Sequence, residues 1–383
     1  MNKTKKFAII GRGISGLMCA IRMFEDGFQN IQIYGPEEKD GVASYAATGV
    51  FSTKGLVLAR QALFKMKILG HKNHLNLVRE LEKKSGIKIP RHMGSWEVFR
   101  DAKHYQSLRE RIYHGDFTGC FSLKVLNRVQ CKENSRLLRE MEQKRDPDFF
   151  LGAFFYRNDG WFHPHCFMQS LENLVKRYNI KIYNTRIHEI DLTREKSFQL
   201  KGEGGLTFHS DHLLLANGAG IIGLLKKMGL VKTPLQLVPG QTISGHTSLE
   251  SKECFRVRKK GFVAYDHEFK FGSVDHEKNQ KISPSQLEIG RKCLLDELSQ
   301  EFRLVPCQER VKTHFGYRVV SKDRRPVLGP VPVFDGRAKA WMFTGLYKNG
   351  YELVDQLSLE FVSMLNNEEN PNSFSPARFG WLP

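Results

Sequence analysis

Three glycines near the N-terminus have a spacing that suits phosphate binding. Gly11, Gly13 and Gly16 follow the pattern G-x-G-x-x-G directly after a short apolar run at residues 7–10. In such a turn the first glycine turns the chain sharply and the second lets the backbone approach a pyrophosphate. The third lets a helix pack closely on the preceding strand. The alternative is a glycine-rich turn in an ordinary α/β domain.

The segments around this turn are those of a dinucleotide-binding unit. The apolar run predicts a buried strand, residues 17–26 predict a helix, and residues 31–34 predict a second strand. Ile14 and Ser15 lie in the turn just before the predicted helix, whose N-terminus has free N–H groups that can bind phosphate. The sequence therefore predicts that this end of the chain binds a dinucleotide.

One feature departs from the dinucleotide-binding pattern. An acidic residue usually follows the second strand and binds the ribose of the adenosine. That place falls at Tyr34 and Gly35, which are not acidic, and the nearest carboxylates are Glu37 and Glu38. We therefore expect Glu37 or Glu38 to take over ribose binding.

Length and charge limit the class of protein. The chain has 383 residues, enough for two domains or one large interleaved unit, and a net charge of +18 spread along its length. Such a charge favours acidic partners: nucleic acid, an anionic membrane surface, an acidic protein or an anionic substrate. The alternative is a basic composition shared by the whole lineage.

Cysteine use and hydropathy indicate the compartment. The seven cysteines are scattered without a C-x-x-C pair, which predicts a reducing compartment and neither a metal site nor a disulfide framework. No apolar stretch reaches about 18 residues, so we expect no membrane span. These features predict a cytoplasmic protein, with peripheral membrane contact left open.

Further segments carry a resemblance to a known family. Small residues dominate 41–55, which suits a segment lying flat against a planar ligand, and residues 211–219 read as a buried strand that runs into a small-residue turn. Together with the glycine turn, these segments resemble the D-amino-acid oxidase superfamily of FAD-dependent oxidoreductases, which contains glycine oxidase and sarcosine oxidase. The segments, in the family's order, are IIGRGISG (9–16), ASYAATG (43–49), LLLANGAG (213–220), FGYRVVSKDRRPVLGP (315–330) and GLYKNGYE (345–352).

The resemblance implies an α/β fold, α+β overall. A Rossmann-like FAD-binding domain is interleaved with a substrate domain built on a mostly antiparallel sheet. We place the FAD-binding domain at residues 1–85, 150–220 and 311–383. The substrate domain takes residues 86–149 and 221–310.

The resemblance also assigns residues to chemistry. Arg318 matches the arginine that binds the substrate carboxylate in glycine oxidase, and a planar guanidinium suits that task. The segment GLYKNG resembles a G-x-x-R-N-G segment of glycine oxidase, and Lys348 stands at its arginine position. The resemblance therefore places a cation near the flavin. Tyr347 and Tyr317 could flank the substrate. The alternatives are an ion-paired arginine, a solvated loop lysine and tyrosines that only pack.

The residues expected to contact FAD come from four segments. Sarcosine oxidase relatives attach the flavin to a cysteine, but Gly316 stands at that place and Cys307 lies too far upstream, so we expect non-covalent FAD. His163 and Pro164 are expected only to cap the helix that follows. The expected contacts are Gly11, Gly13, Ile14, Ser15, Gly16, Glu37, Ala47, Thr48, Gly49, Ala216, Asn217, Gly218, Gly345, Lys348, Asn349 and Gly350.

These expectations lead to one main function and two alternatives. The main one is an FAD-dependent amine or amino-acid oxidoreductase, which oxidises a C–N bond by hydride transfer to flavin and passes the electrons to oxygen or another acceptor. The imine then hydrolyses. The alternatives are a flavoenzyme that acts on carboxymethylaminomethyl-uridine in tRNA, whose phosphates would meet the basic surface, and a maturation flavoprotein that modifies an acidic partner polypeptide.

Overall fold

The computed structural model describes most of the chain. It covers residues 1–52, 62–113, 123–143, 150–193, 195–247, 251–257, 260–302, 306, 308–331, 339–367 and 373–381. Cys307 lies outside these residues.

Helices and strands alternate along the chain. The helices are α1 (Ile14–Glu25), α2 (Ala43–Ala46), α3 (Ala62–Ser85), α4 (Ala102–Tyr113), α5 (Arg128–Asn134), α6 (Arg136–Gln143), α7 (Pro164–Arg177), α8 (Ile221–Lys227), α9 (Pro284–Phe302) and α10 (Gly350–Asn367). The strands are β1 (Phe7–Ile10), β2 (Ile31–Tyr34), β3 (Gly41–Val42), β4 (Val50–Phe51), β5 (Arg91–Phe99), β6 (Leu123–Asn127), β7 (Gly152–Phe162), β8 (Lys181–Tyr183), β9 (Ile187–Leu192), β10 (Phe198–Gly202), β11 (Thr207–Ser210), β12 (His212–Leu215), β13 (Leu235–His246), β14 (Glu253–Val257), β15 (Lys260–Tyr265), β16 (Glu268–Asp275), β17 (Lys312–Ser321), β18 (Val327–Pro330) and β19 (Ala340–Thr344).

A six-stranded sheet organises the N-terminal glycine turn. Its order is β18-β19-β12-β1-β2-β8, and all neighbours except β18 and β19 run parallel. All four residues of β1 are buried, as a strand covered on both faces requires. Helices α1, α3, α7 and α10 cover one face of the sheet with a shared apolar core. The glycine turn therefore leaves the sheet at the carboxyl end of a central parallel strand, where open α/β sheets bind ligands.

A second, larger sheet faces the glycine turn and the small-residue segment. Nine of its strands follow the order β3-β17-β13-β16-β15-β14-β5-β7-β4, and β6 also pairs with β7. Its pairs are antiparallel except β14 with β5 and β17 with β3. Helix α9 packs on the far side over Phe262, Phe271 and neighbouring apolar residues. A separate antiparallel sheet, β11-β10-β9, is smaller. The mixed α/β class predicted from the sequence is confirmed.

Several element predictions are confirmed and two need correction. Strands β1 and β2 have the predicted bounds, whereas α1 begins at Ile14, three residues earlier than predicted. Residues 56–84 predict one long helix or two shorter ones with a break at Gly70, and the break is wrong, because α3 runs through Gly70. A Cβ on Gly70 would lie 2.0 Å from the carbonyl oxygen of Glu352, so this glycine lets α3 pack directly on α10. His163 caps α7 as predicted, since its Nδ1 accepts the N–H of Cys166 at 3.3 Å. The domain boundaries stay a prediction.

Candidate active site

The glycine turn can be built only with glycine at two of its positions. Gly11 has φ +124°, and a Cβ there would lie 2.3 Å from the carbonyl oxygen of Ala216. A Cβ on Gly16 would lie 2.0 Å from the carbonyl oxygen of Gly11. Gly13, in contrast, faces open space apart from the Ser44 hydroxyl 3.7 Å away. The turn thus packs tightly on its inner side and leaves the backbone at Gly13 accessible, which fits a bound pyrophosphate.

One large cavity joins the glycine turn to the ten-stranded sheet. Its volume is about 1440 Å³, above the roughly 300–1,000 Å³ of a pocket for a drug-sized ligand. Of the residues expected to contact FAD or substrate, Gly16 alone does not line it. The predicted residues that do are Gly11, Gly13, Ile14, Ser15, Glu37, Ala47, Thr48, Gly49, Ala216, Asn217, Gly218, Tyr317, Arg318, Gly345, Tyr347, Lys348, Asn349 and Gly350. The fold therefore brings five distant segments to one cavity, and the space suits an extended cofactor together with a small ligand.

The packing around Gly35 explains why the acidic residue that usually binds the adenosine ribose is absent after β2. A Cβ on Gly35 would lie 2.9 Å from the Cβ and the backbone nitrogen of Arg12, so an acidic side chain does not fit there. Glu37 lines the cavity two residues later, with its carboxylate 72% exposed and 3.9 Å from the Arg12 guanidinium. Glu38 also lines the cavity. Ribose binding by one of the two carboxylates stays a prediction.

The small-residue segment is held by strands β13 and β7 of the ten-stranded sheet and by helix α10. Thr242 donates its hydroxyl to the carbonyl of Ala46 at 2.8 Å, and Tyr351 donates to the carbonyl of Ser44. A Cβ on Gly49 would lie 2.1 Å from the carbonyl oxygen of Phe162. The segment is therefore held in place while its small side chains leave the cavity open, as expected for a surface that lies against a planar ring.

The place where related oxidases carry a flavin-linked cysteine has no room for one. A Cβ on Gly316 would lie 2.6 Å from the Cα of Ala43, because β17 pairs here with β3. Cys307 falls outside the described residues. Non-covalent attachment of FAD stays a prediction that this packing supports.

Arg318 lies in the cavity wall and is tightly held. Its NH2 group donates to Asp275 Oδ1 at 2.6 Å, and its Nε donates to the carbonyl of Val238 at 3.3 Å. Its NH1 group lies 3.5 Å from the Ser273 hydroxyl, which also lines the cavity. The Arg318 side chain is only 12% exposed. The ion-pair alternative for Arg318 is thus present in the structure, and the guanidinium still reaches the cavity.

Asp275 joins two of the residues singled out in the sequence. Its Oδ2 accepts from Lys348 Nζ at 3.1 Å while its Oδ1 accepts from Arg318. Partial burial works in the opposite direction, but Arg318 and Lys348 hold the pKa of Asp275 below its ordinary value, so the carboxylate stays ionised. Sequence reasoning missed Asp275. Its only signal was its place at the end of β16, and nothing in the sequence indicated that β16 lies two strands from β17.

Tyr347 lies between the same two cations. The Arg318 guanidinium carbon is 5.5 Å from the centre of its ring and the Lys348 Nζ is 5.3 Å away, both within cation–π range. Tyr347 has φ +50°, a strained conformation for a non-glycine residue that is enriched at ligand sites. We conclude that the turn before α10 holds this tyrosine against the arginine and not in free solvent.

A buried lysine lies behind the small-residue segment. Lys270, on β16, is 5% exposed and donates to the carbonyl of Tyr45 at 3.2 Å. Burial lowers its pKa to about 7. Burial and the nearby Lys270 also lower the pKa of His314 to about 3, so this imidazole is neutral at ordinary pH. Lys270 does not line the cavity. Its alternation with Phe269 and Phe271 was the only sequence signal that it points away from the apolar core.

Another group of charged side chains lines the cavity near the first turns of α3 and α10. It consists of Lys67 on α3, Arg256 on β14 and Glu352 in the first turn of α10. Burial, opposed by Lys67, raises the pKa of Glu352 to about 7. Burial also lowers the pKa of Lys67, while Glu352 works against that shift. Sequence reasoning missed all three, since they come from segments that only the fold brings together.

Two kinds of site or segment are absent from the described part of the chain. No group of three or more His, Cys, Asp or Glu side chains there is arranged to hold a metal ion. Among the described helices, none has both the length and the apolar character needed to cross a membrane.

The parallel sheet, the glycine turn and the large shared cavity define a protein of the dinucleotide-binding type. Residues 6–354 match the family of FAD dependent oxidoreductases known as DAO, and the chain belongs to that family. It is thus an FAD-dependent oxidoreductase. A comparison with curated protein sequences found no match.

Solved structures with the same fold include several amino-acid and amine oxidases. Iminodiacetate oxidase from Chelativorans sp. BNC1 is 17% identical, with TM-score 0.80, over 97% of this chain and 99% of that one. Glycine oxidase from Bacillus cereus ATCC 14579 is 17% identical, with TM-score 0.78, over 96% of each chain. Glycine oxidase from Geobacillus kaustophilus is 19% identical, with TM-score 0.77, over 98% of each chain. At such identity the likeness shows the fold, and the substrate has to be argued from the site.

Proposed function

We propose that the protein oxidises the C–N bond of a small amine or amino acid that carries a carboxylate. The observation that carries this proposal is the cluster of Arg318, Tyr347, Lys348 and Asp275 at the cavity wall. Solved structures of the same fold include a glycine oxidase and an iminodiacetate oxidase, named for small amines with one and two carboxylates, which supports the choice of substrate class.

The charges of the cluster suit one incoming carboxylate. Arg318 and Lys348 bring two positive charges, and Asp275 cancels one of them. One further negative charge on the ligand makes the cluster neutral, and buried charges are stable only when they are balanced in this way. A guanidinium binds a carboxylate through a planar pair of hydrogen bonds, so Arg318 can also fix the orientation of the ligand.

Asp275 and the backbone carbonyls act on Arg318 as positioning groups. They hold the guanidinium without help from a ligand, so little ordering remains to be done when the substrate arrives. The Tyr347 ring covers one side of the guanidinium and limits its contact with water. Orientation of this kind contributes to rate because the reacting C–H bond must be held in one geometry.

The cofactor would be held by the segments already described. The turn at Gly11 to Gly16 suits the pyrophosphate, the segment at residues 43–51 suits the ring, and the N–H groups at the start of α10 point their positive dipole toward the cavity. When bound, FAD accepts the hydride from the substrate. We propose that this binding is non-covalent, since Gly316 leaves no room for a thiol. Acid precipitation of the holoprotein should release all of the flavin into the supernatant.

The experiment that tests the function is anaerobic mixing of the holoprotein with amines. We expect bleaching of the flavin absorbance by one or more of glycine, sarcosine and the D-amino acids. Arg318→Ala should keep its flavin and lose both that bleaching and the binding of carboxylate inhibitors. Unchanged affinity of Arg318→Ala for a carboxylate would remove Arg318 from this role.

The comparisons give no support to tRNA or to a partner polypeptide. Bulk tRNA belongs in the anaerobic panel as a check, because the +18 net charge alone makes weak, salt-sensitive RNA binding expected. The electron acceptor, oxygen or another compound, is a separate question that reoxidation of the bleached protein in air would answer.

A further inference from the structure

A second basic region lines the same cavity at a distance from Arg318. We call Lys67, Arg256 and Glu352 the distal site. In the ten-stranded sheet Arg318 lies on β17 and Arg256 on β14, which are four strand spacings apart. At about 5 Å per spacing, the two backbones are roughly 20 Å apart across the sheet. A free α-amino acid is far too short to contact both arginines.

The cations of the distal site have no counterpart of Asp275. Within the part of the chain that the structure describes, the side chains of Lys67 and Arg256 make no hydrogen bond or ion pair, and Nε of Arg256 is buried without a partner. Neighbouring cations of the cavity differ: Lys260 is paired with Glu297 and Arg100 with Glu301. A partly buried cation without a partner is unfavourable, which indicates that a ligand group completes this site.

Glu352 is near both cations but does not pair with them. Its side chain is 7% exposed, and its Oε1 atom is buried without a hydrogen-bond partner among the described residues. Its pKa of about 7 means that at neutral pH only part of the population carries the negative charge. Burial thus favours the neutral form of Glu352, which leaves Lys67 and Arg256 free to attract an anion. A singly charged carboxylate places less negative charge beside Glu352 than a doubly charged phosphate does.

Two glycines follow Arg256 across the ten-stranded sheet. Arg256 pairs with Gly261 on β15, and Gly261 faces Gly272 on β16. Both glycines line the cavity, and a Cβ on Gly261 would come within 3.0 Å of the Val50 side chain. Glycine at position 261 therefore lets the Val50 side chain pack directly on the sheet beside Arg256.

We propose that Lys67 and Arg256 form a second anion-binding subsite, which binds a carboxylate at the far end of an elongated substrate. This inference rests on the proposed function, because it assumes that Arg318 binds the carboxylate near the reacting amine. It narrows the substrate class from any small amino acid to an amine with two well-separated carboxylates.

Dicarboxylates of increasing length measure the separation of the two subsites. We would titrate the holoprotein by calorimetry with the series from succinate to dodecanedioate, each paired with its monomethyl ester, which has the same length and one charge fewer. The wild type should bind one of the longer diacids about 10-fold more tightly than its half-ester, as a charge-assisted pair predicts. Short diacids should show no such preference.

Variants connect the preference to the distal site. Lys67→Met and Arg256→Gln should each reduce the preference for the long diacid toward that of the half-ester, and Arg256→Lys should keep part of it. Lys72→Met, which removes an exposed charge from the same helix, should change nothing. Arg318→Ala should weaken diacid and half-ester alike.

The outcomes separate the inference from the proposed function. If Arg318→Ala abolishes binding but no wild-type diacid exceeds its half-ester, the distal subsite is wrong and the proposed function stands. A length preference that survives in both Lys67→Met and Arg256→Gln also overturns the inference. If no carboxylate of the series binds the wild type at all, both proposals fail.

Discussion

The two ends of the cavity hold their cations in opposite ways. Arg318 is fixed by Asp275 and by two backbone carbonyls, and Lys348 shares the same carboxylate. Arg256 and Lys67 have no such partners among the described residues. A cation held by the protein can orient a reacting group, whereas a cation without a partner gains most from the charge of a ligand. The difference indicates that the Arg318 end orients the reacting group of the ligand, whereas the distal site selects the ligand by its charge.

Removing Arg318 should produce the largest effect at either end. Arg318→Ala leaves Asp275 paired only with the half-exposed Lys348 and removes the planar donors of the clamp. We expect carboxylate affinity to fall about 100-fold, in line with truncation of a buried charged pair. Titration of the flavin absorbance with a carboxylate inhibitor measures the effect. Arg324→Ala, on an exposed turn of the same segment, is the matched control and should bind the inhibitor normally.

The raised pKa of Glu352 predicts how the stability of the folded protein depends on pH. In the unfolded chain Glu352 ionises near its ordinary pKa of 4.5, but in the folded protein it stays protonated up to about pH 7. The folded state therefore loses stability as the pH rises from about 4.5 to about 7. Glu352→Gln stays neutral and should be more stable than the wild type by about 3 kcal/mol above pH 7, with no gain near pH 4.

Urea unfolding at pH 4 and pH 8, with FAD in constant excess, measures this difference. Glu277→Gln changes an exposed carboxylate after β16 and serves as the control. If the gain of Glu352→Gln were equal at both pH values, the raised pKa of Glu352 would not be its cause.

Asp275→Asn should make the Arg318 end resemble the distal end. The substitution keeps the size of the side chain and frees the charges of Arg318 and Lys348. We expect carboxylates to bind roughly 10-fold more tightly, because the ligand then balances two cations. Turnover should fall, because the guanidinium loses its positioning partner. Weaker carboxylate binding by Asp275→Asn would show that orientation of the arginine matters more than its free charge.

The smallest effect is expected for Lys348. Its side chain is 47% exposed, so water screens its interaction with Asp275. Lys348→Met should weaken carboxylate binding only about two- to fivefold, and Lys348→Arg should restore it. A loss as large as that of Arg318→Ala would mean that Lys348 contacts the ligand directly.

The parts of the site that depend on local backbone geometry could be predicted from the sequence. Gly16 is required by its contact with Gly11 within one strand–turn–helix unit, and Gly11 by its φ of +124°, so their spacing in the sequence reports a local geometry. Arg318 and Lys348 were identified because they belong to short segments that resemble a known family. In each case the signal lies within about ten residues.

The parts that depend on distant strands could not be predicted in this way. Asp275 on β16 meets Arg318 on β17 because the sheet order places only β13 between these two strands. Arg256 belongs to the same cavity because β14 follows β15 in that order. Gly70 shows the same limit. Its role depends on the carbonyl of Glu352, which lies far along the sequence, so the sequence alone suggested a helix break.

The most direct test of the account compares each amino acid with the amine that lacks its carboxylate. The holoprotein would be mixed anaerobically with pairs such as alanine and ethylamine, and with longer amines that carry two carboxylates. The account predicts that a carboxylate-bearing amine bleaches the flavin while its decarboxylated partner does not. Equal bleaching by both members of a pair would contradict the role of Arg318, and no bleaching by any amine would contradict the proposed reaction itself.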